Sequence, residues 1–513
     1  MRYFIWLILA VTIHCHAATW YVDNEATGGN SGTNWLNAWS DMSFVSWGGS
    51  GVVAGDTIYI SGGSISKTYT NTWTVGASGT AANLITIKPG IDDGHSGAVN
   101  FDGARFGLFV TNTAVVGLDR NYIKFERLNF INWRNLTNDN MSVVMRGNPA
   151  TGNQFLSCVF SNVNTAIYQV SATNTVVGNC YIFAYGDAAI ALLTSRARPG
   201  NEFDSHLIYS NTIRCAWNAI SGGPDGVQSR DGVTMWGNLF ECVSVPDTNS
   251  ANHVDFLQSN GGWTRVFNNE FLNIGDSGLS PSPWTEGDAI HDVHIYNNVF
   301  RITEQMDIYP NGIRMYCTPG LAYFSNVMIL NNLFVDFTNA STVVVYISGA
   351  DEMGISVGTN NVFANNMFVN CGAGNSLLWK WDQADGAQSP WSITNNILHS
   401  PNGRVQFMTN VYTTAQWMAI DPNVPTNLPS FVRYAPLATN NDFNLMESDS
   451  VARNAGLVFN NLFTNDFAWQ TRGDTWDIGA YEFSGESPSP PVSGPGRAHA
   501  GRLKAGVLRW RTQ

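Results

Sequence analysis

A chain of 513 residues with only 13% charged side chains, 49 Gly and a formal charge of −13 has the composition of a turn-rich, acidic, extracellular β protein. Five of its 26 Lys and Arg lie in residues 497–513 and one is Arg2, so the body between holds 20 basic against 39 acidic residues, a balance of −19. That balance argues against a nucleic-acid partner.

Taken in order, residues 1–18 read as a secretory signal: Arg2, an apolar run from Tyr3 to Ile13, then Ala17 and Ala18, with cleavage expected near those two. The run is too short to span a membrane, so the mature chain is expected to be secreted or held at the cell surface with no transmembrane span. Residues 19–120 read as a cap and first rungs. Trp20-Tyr-Val-Asp opens a strand, and Leu36, Trp39, Met42, Phe44 and Trp47 share one helical face. A capping helix over 36–47 would cover the strand edges at the open end of a stack. Gly55-Asp-Thr-Ile-Tyr-Ile and Asn83-Leu-Ile-Thr-Ile-Lys read as further strands.

The middle, 121–415, is organised by a repeated phrase, an Asn followed two or more places later by a large apolar residue. It begins at Asn179, Asn211, Asn238, Asn269, Asn298, Asn332, Asn366 and Asn396, in steps of 32, 27, 31, 29, 34, 34 and 30 residues. Each phrase follows a short β-branched or aromatic run, such as His294-Ile-Tyr or Val327-Met-Ile-Leu. A strand-turn unit that cannot bury its own apolar face must stack on its neighbours. The fold expected is all-β, a right-handed parallel β-helix running from about 55 to 415, with the Asn residues as an internal ladder. A helical repeat fits poorly, because the apolar runs are short and alternate with period two. Six Cys follow the signal, about one per rung and without metal-type spacing; Cys215 and Cys242, each four places after a ladder Asn, are expected to stack as buried thiols.

A second strand set lies upstream of the phrases: Asp187-Ala-Ala-Ile, Asp225-Gly-Val-Gln-Ser-Arg, Asp255-Phe-Leu-Gln-Ser-Asn, Asp276-Ser-Gly-Leu-Ser-Pro and Asn311-Gly-Ile-Arg-Met-Tyr. Aligned on their first residues, they stack Asp225, Asp255 and Asp276 in one column and point Gln228, Gln258 and Arg314 outward, with Arg230 and Tyr316 two places on. Thr342-Val-Val-Val-Tyr and Ser376-Leu-Leu-Trp-Lys are apolar at this place. Carboxylates about 4.8 Å apart need a raised pKa, an Arg or a cation among them. The column therefore suits acid/base catalysis and would admit Ca²⁺. An Asp that merely opens each strand as a turn residue is the competing structural explanation. His253 is the best-placed His for proton transfer, whereas His291 and His294, either side of Asp292, give a weak metal signal. Trp263 and Arg265 are candidates to contact a sugar.

Residues 416–483 read as a closing segment, 484–496 as a Pro/Ser/Gly linker, and 497–513 as a basic tail that serves as a sorting signal or a frayed end. The two ends, Trp20-Tyr-Val with Gly55-Asp-Thr-Ile-Tyr and Ser78-Gly-Thr-Ala, and Arg453-Asn-Ala-Gly with Asp477-Ile-Gly-Ala-Tyr-Glu, resemble secreted bacterial β-helix proteins of the pectate-lyase-like superfamily with a choice-of-anchor closing segment. His253-Val-Asp-Phe-Leu-Gln is similar to a pattern recurring in such proteins. The resemblance implies a polysaccharide partner and a monomer. Polysaccharide cleavage is the expected activity, a lyase acting on a uronate polymer slightly ahead of a glycoside hydrolase using paired Asp. A carbohydrate-binding surface protein is the third reading.

Overall fold

The computed structural model describes residues 17–103, 115–116, 120–133, 143–147, 151–184, 188–193, 203–216, 225–244, 254–282, 290–304, 310–316, 324–339, 342–348, 359–373, 376–382, 391–407 and 410–485. The strands wind into a parallel β-solenoid with three faces. Face one starts with Thr19–Val22 and Thr57–Ile60, and continues through His206–Tyr209, Ile290–Tyr296 and Phe324–Leu330 to Trp391–Thr394. Face two is a twelve-stranded sheet from Ser66–Tyr69 to Ile397–His399. Face three runs from Trp73–Thr74 to Arg404–Phe407. Two strands, Asp225–Trp236 and Asp255–Phe267, bend round a corner and serve faces three and one in turn. The stack therefore begins at residue 19, not near 55.

Inside, face two stacks Phe240, Phe271, Phe300, Phe334 and Phe368, with centroids 5.3, 4.7, 4.8 and 4.8 Å apart and planes within 18°. Offset rings at the rung spacing bury large apolar area with few lost rotamers. Cys215 pairs in register with Cys242, and both are buried thiols outside any disulfide, as are Cys158, Cys180 and Cys371; Cys317 lies outside the described residues.

The corner between faces one and two explains the Asn phrase. Its first residue takes a left-handed conformation, at Ser210, Gly237, Asn268, Asn297, Asn331, Asn365 and Asn395, a region that Asn and Gly enter cheaply. The next residue points inward. From Asn211 to Asn366, each ladder Asn donates its backbone N–H and side-chain amide to the carbonyl oxygen of the next, at 2.8–3.1 Å. Without this the buried corner amides would have no partner, a cost of about 1–3 kcal/mol each. Asn179 does not belong to the ladder. It is the left-handed residue of its rung, and Cys180 fills the inward place, its N–H donating to Asn211 at 2.8 Å.

The N-terminal cap holds one 3-10 turn, Met42–Phe44, in place of a helix over 36–47. Asp41 caps that turn by accepting from the Ser43 N–H, and Trp39 is held extended by backbone bonds to Tyr21 and Asp23. Trp39 and Met42 are buried while Leu36 and Phe44 are exposed. At the other end, Asn410–Thr413 pairs antiparallel with Arg404–Phe407, and the short helix Thr414–Met418 packs Trp417 onto the last rung.

The chain then runs back along the outside. Phe431, Phe443, Leu445, Phe467 and Ile478 cover the outward Val299, Leu333, Val335, Met367 and Val369 of face two, while Phe463 and Trp476 cover Tyr296 and Leu330 of face one. The left-handed Asn column clasps this segment. Asn268, Asn297, Asn331, Asn365 and Asn395 donate to the carbonyls of Asp466, Asn465, Asp477, Leu457 and Ala455 at 2.6–3.0 Å. Buried Arg472 ties the segment down, bonding Glu482 at 2.7 Å and Asn297 at 2.9 Å. The expected signal, linker and tail, residues 1–16 and 486–513, lie outside the described residues. Among those described, no helix is long and apolar enough to cross a membrane.

Candidate functional site

Among the described residues, the apolar clusters that segment 431–483 builds against the solenoid lie on faces two and one, and face three is outside them. Its register follows the inward apolar residues: Ile190, Val227, Leu257, Leu279, Ile313, Val345 and Trp379 are partners in successive rungs. One place further on, the outward row reads Gln228, Gln258, Ser280, Arg314, Tyr346, Lys380 and Gln406. Rungs about 4.8 Å apart set the spacing, so Arg314 and Lys380 stand about 10 Å apart with Tyr346 between them. The Lys380 ammonium lies 4.9 Å from the Tyr346 ring centroid, and an Arg314 nitrogen 3.6 Å from Asp276. Gln228 donates to Asp225 at 2.9 Å and reaches Gln258 at 3.4 Å. Except for Ser280, the row is half-buried.

Asp225 and Asp255 occupy neighbouring rungs, but at 3% exposure each they sit inside the wall and not in the groove. Asp225 accepts the Asp255 backbone N–H at 2.9 Å, performing at this corner the bond that Asn performs in the ladder. The third acid is not in their column: Asp255 pairs with Ser277, and Asp276 stands one place before it, turned to Arg314. Arg230 is half-buried where face three ends, at the register shift between Ser229 and Asp231. Trp263 and Arg265 lie past that end, on the corner and on face one, so the row does not bring them together with Arg314. His253, Asp187 and the side chain of Tyr316 lie outside the described residues.

The misplacement of Asp276 has one cause. Aligning strands on their first polar residue put Asp276, Thr342 and Ser376 one place out of register, and a one-residue slip exchanges the two faces of a strand. The inward Leu257 and Leu279 set the true frame. Within Trp379-Lys-Trp381, where both indoles are fully buried, Lys380 can only point outward, and that pattern was the signal for the missed Tyr346 and Lys380. Among the described residues no three His, Cys, Asp or Glu side chains converge.

Three faces of parallel strands around a filled interior make the chain a parallel β-helix. No protein-family model and no curated protein matches it. Among solved structures it is similar to XylC in complex with xylose, at 10% identity and a TM-score of 0.46 over 90% of this chain and 98% of that one. It is also similar to the pectate lyase Pel9A, at 12% and 0.34 over 91% and 96%, and to PfbA, a surface adhesin of Streptococcus pneumoniae, at 10% and 0.38 over 66% and 86%. At such identities the likeness is one of fold.

Proposed function

We propose that the chain is a secreted enzyme that cleaves a uronate-containing polysaccharide by β-elimination in the groove of face three. The observation that carries this reading is the outward row Arg314, Tyr346, Lys380 on a body of strongly acidic balance. Lys380 is the one Lys between residues 125 and 503, and it sits in register with Arg314. Two fixed cations flanking a phenol fit what elimination needs. The cations neutralise the uronate carboxylate and stabilise the enolate-like charge, and a base removes the proton α to it. Tyr346 is the candidate base of the row: once its own proton has passed to solvent, its oxygen takes the proton α to the carboxylate, the C–H electrons form the ring double bond, and the glycosidic C–O bond breaks. The leaving oxygen takes a proton from the re-protonated phenol or from water. Gln228 and Gln258 extend the groove with amide groups suited to sugar hydroxyls. The paired-carboxylate hydrolase reading loses support, because Asp225 and Asp255 are both buried in the wall and the Asp225 carboxylate is engaged by Gln228 and the Asp255 backbone N–H.

The test is a panel of polysaccharides incubated with the purified full chain, with and without a chelator. Ultraviolet-absorbing unsaturated sugar ends support elimination. New reducing ends without that absorbance transfer the reaction to hydrolysis, and retention of polymer without cleavage reduces the chain to a binding protein.

A further inference from the structure

The corner between faces three and one has a column of left-handed residues: Gly232, Trp263, Asp292, Asn326 and Asn360, with φ of 75°, 49°, 53°, 56° and 63°. Gly, Asn and Asp enter this region readily, and an indole-bearing residue does not. Among the other bulky residues held there, Tyr122 lies over Gly152, Leu437 and Trp469 belong to the closing segment, and Arg127 is half-exposed beside Glu126. Trp263 is half-exposed, edge-to-face with His291 and with Phe203, each at 5.4 Å. Strain at a half-buried aromatic is a motive to look for function there.

Its neighbours are arranged for hydrogen bonding. Asn326 donates to one oxygen of Asp292 at 2.6 Å, and the other oxygen lies 2.9 Å from His291 Nδ1. A carboxylate can only accept, so Nδ1 is the donor in that contact and Nε2 is left for a further partner. The His291 side chain is 32% exposed. Arg265 is stacked 4.3 Å over Phe203, its planar guanidinium fixed beside the same corner. A second, independent sign lies beneath: His294, 8% exposed and 5.0 Å from Phe203, has an Nε2 with no hydrogen-bond partner among the described residues.

We propose that this corner is a second carbohydrate subsite, where a sugar ring of the polymer packs against Trp263 and its hydroxyls bond His291 and Arg265. The proposal rests on the polysaccharide reading above. It adds a contact outside the face-three row, so that a long polymer is held at two places and a short oligomer at one.

The experiment is affinity electrophoresis of the full chain in gels containing polygalacturonate, alginate or xylan. It uses the Tyr346→Phe background, so that the polymer is not consumed. Trp263→Gly in that background is expected to weaken retardation about tenfold. Its Tm should hold or rise, because Gly accepts the positive φ without strain; Trp263→Tyr should restore part of the retardation. Undiminished retardation of Trp263→Gly overturns the subsite. So does lost retardation accompanied by a lowered Tm, which makes Trp263 a packing residue. If the Tyr346→Phe chain itself is retarded by none of the polymers and the unsubstituted chain cleaves none, the polysaccharide reading fails first and the subsite with it.

Discussion

Faces two and three are built from the same rungs, and their outward sides have opposite fates. On face two the outward residues of the later rungs are Val299, Leu333, Met367, Val369 and Ile397, and a separate segment lies on them. On face three the corresponding row is Gln258, Arg314, Tyr346, Lys380 and Gln406, and the segment passes it by. The inward sides do not differ in kind, since both are apolar and stacked. A solenoid can therefore separate stability from function by face: one outward side is given to burial, leaving the other available for chemistry.

The largest effect expected tests the sealed side. Asn298→Ala removes an acceptor for both donors of Asn269 and donors to Asn332, Val266 and Tyr296. Several buried groups lose their partners together, at about 1–3 kcal/mol each. Urea denaturation should show a loss on the order of 3–5 kcal/mol, and a loss under 1 kcal/mol would mean the ladder is decorative.

Next comes the open side. Tyr346→Phe should lower turnover of the cleaved polymer at least about a hundredfold, the scale of removing an acid/base group, while its melting curve stays in place. A fall in Tm that matches the fall in activity would erase the division between faces.

A third, smaller effect concerns the clasp. Asn331→Ala deletes amide bonds to the carbonyls of Asp477 and Gly479 without touching the inward ladder. The cost expected is about 1–2 kcal/mol, with limited proteolysis cutting residues 450–483 faster and the rungs no faster.

How much of this was legible depends on where specificity resides. The solenoid was readable because its signals are local: β-branched runs, a corner that needs a left-handed residue, and an inward amide one place later. The doubled pairs Asn268-Asn269, Asn297-Asn298, Asn331-Asn332, Asn365-Asn366 and Asn395-Asn396 even mark rungs that the closing segment covers, where the first Asn has a carbonyl of that segment to bond. The site was less readable. Its residues lie on strands separated by loops of unequal length, so their alignment depends on which residue is taken as the anchor. Polar first residues such as Asp276 mislead, because a turn can shift by one, whereas Leu279 and Trp379 cannot leave the core. The N-terminal helix failed for a different reason: the spacing of Leu36, Trp39, Met42, Phe44 and Trp47 is helical, but Trp39 is held by strand bonds to Tyr21 and Asp23.

The smallest effect expected is a division by pH. In the closing segment, burial raises Asp466 to about 6 and Glu482 to about 7, against the pull of Arg472, with Asp477 adding to the rise at Glu482. Both bind a proton more tightly folded than unfolded. Their contribution to stability is thus complete below their ordinary values near 4 and is lost as pH rises through about 6 to 7. In the solenoid wall the sign reverses. Burial lowers His206 to about 3, and burial with the nearby Arg265 lowers His294 to about 4. Those imidazoles stay neutral when folded, so the stability they contribute is present above 6.5 and is lost as pH falls toward 4 and 3. Between pH 7 and 5 the two regions should therefore move in opposite directions. Hydrogen exchange should slow in residues 452–483 and quicken around 206–209 and 290–296, while the global Tm moves by only about 2–4 °C because the two terms oppose. If protection in both regions changes with the same sign, the closing segment and the solenoid are one cooperative unit, and the separation of a sealed face from a working one does not extend to their stabilities.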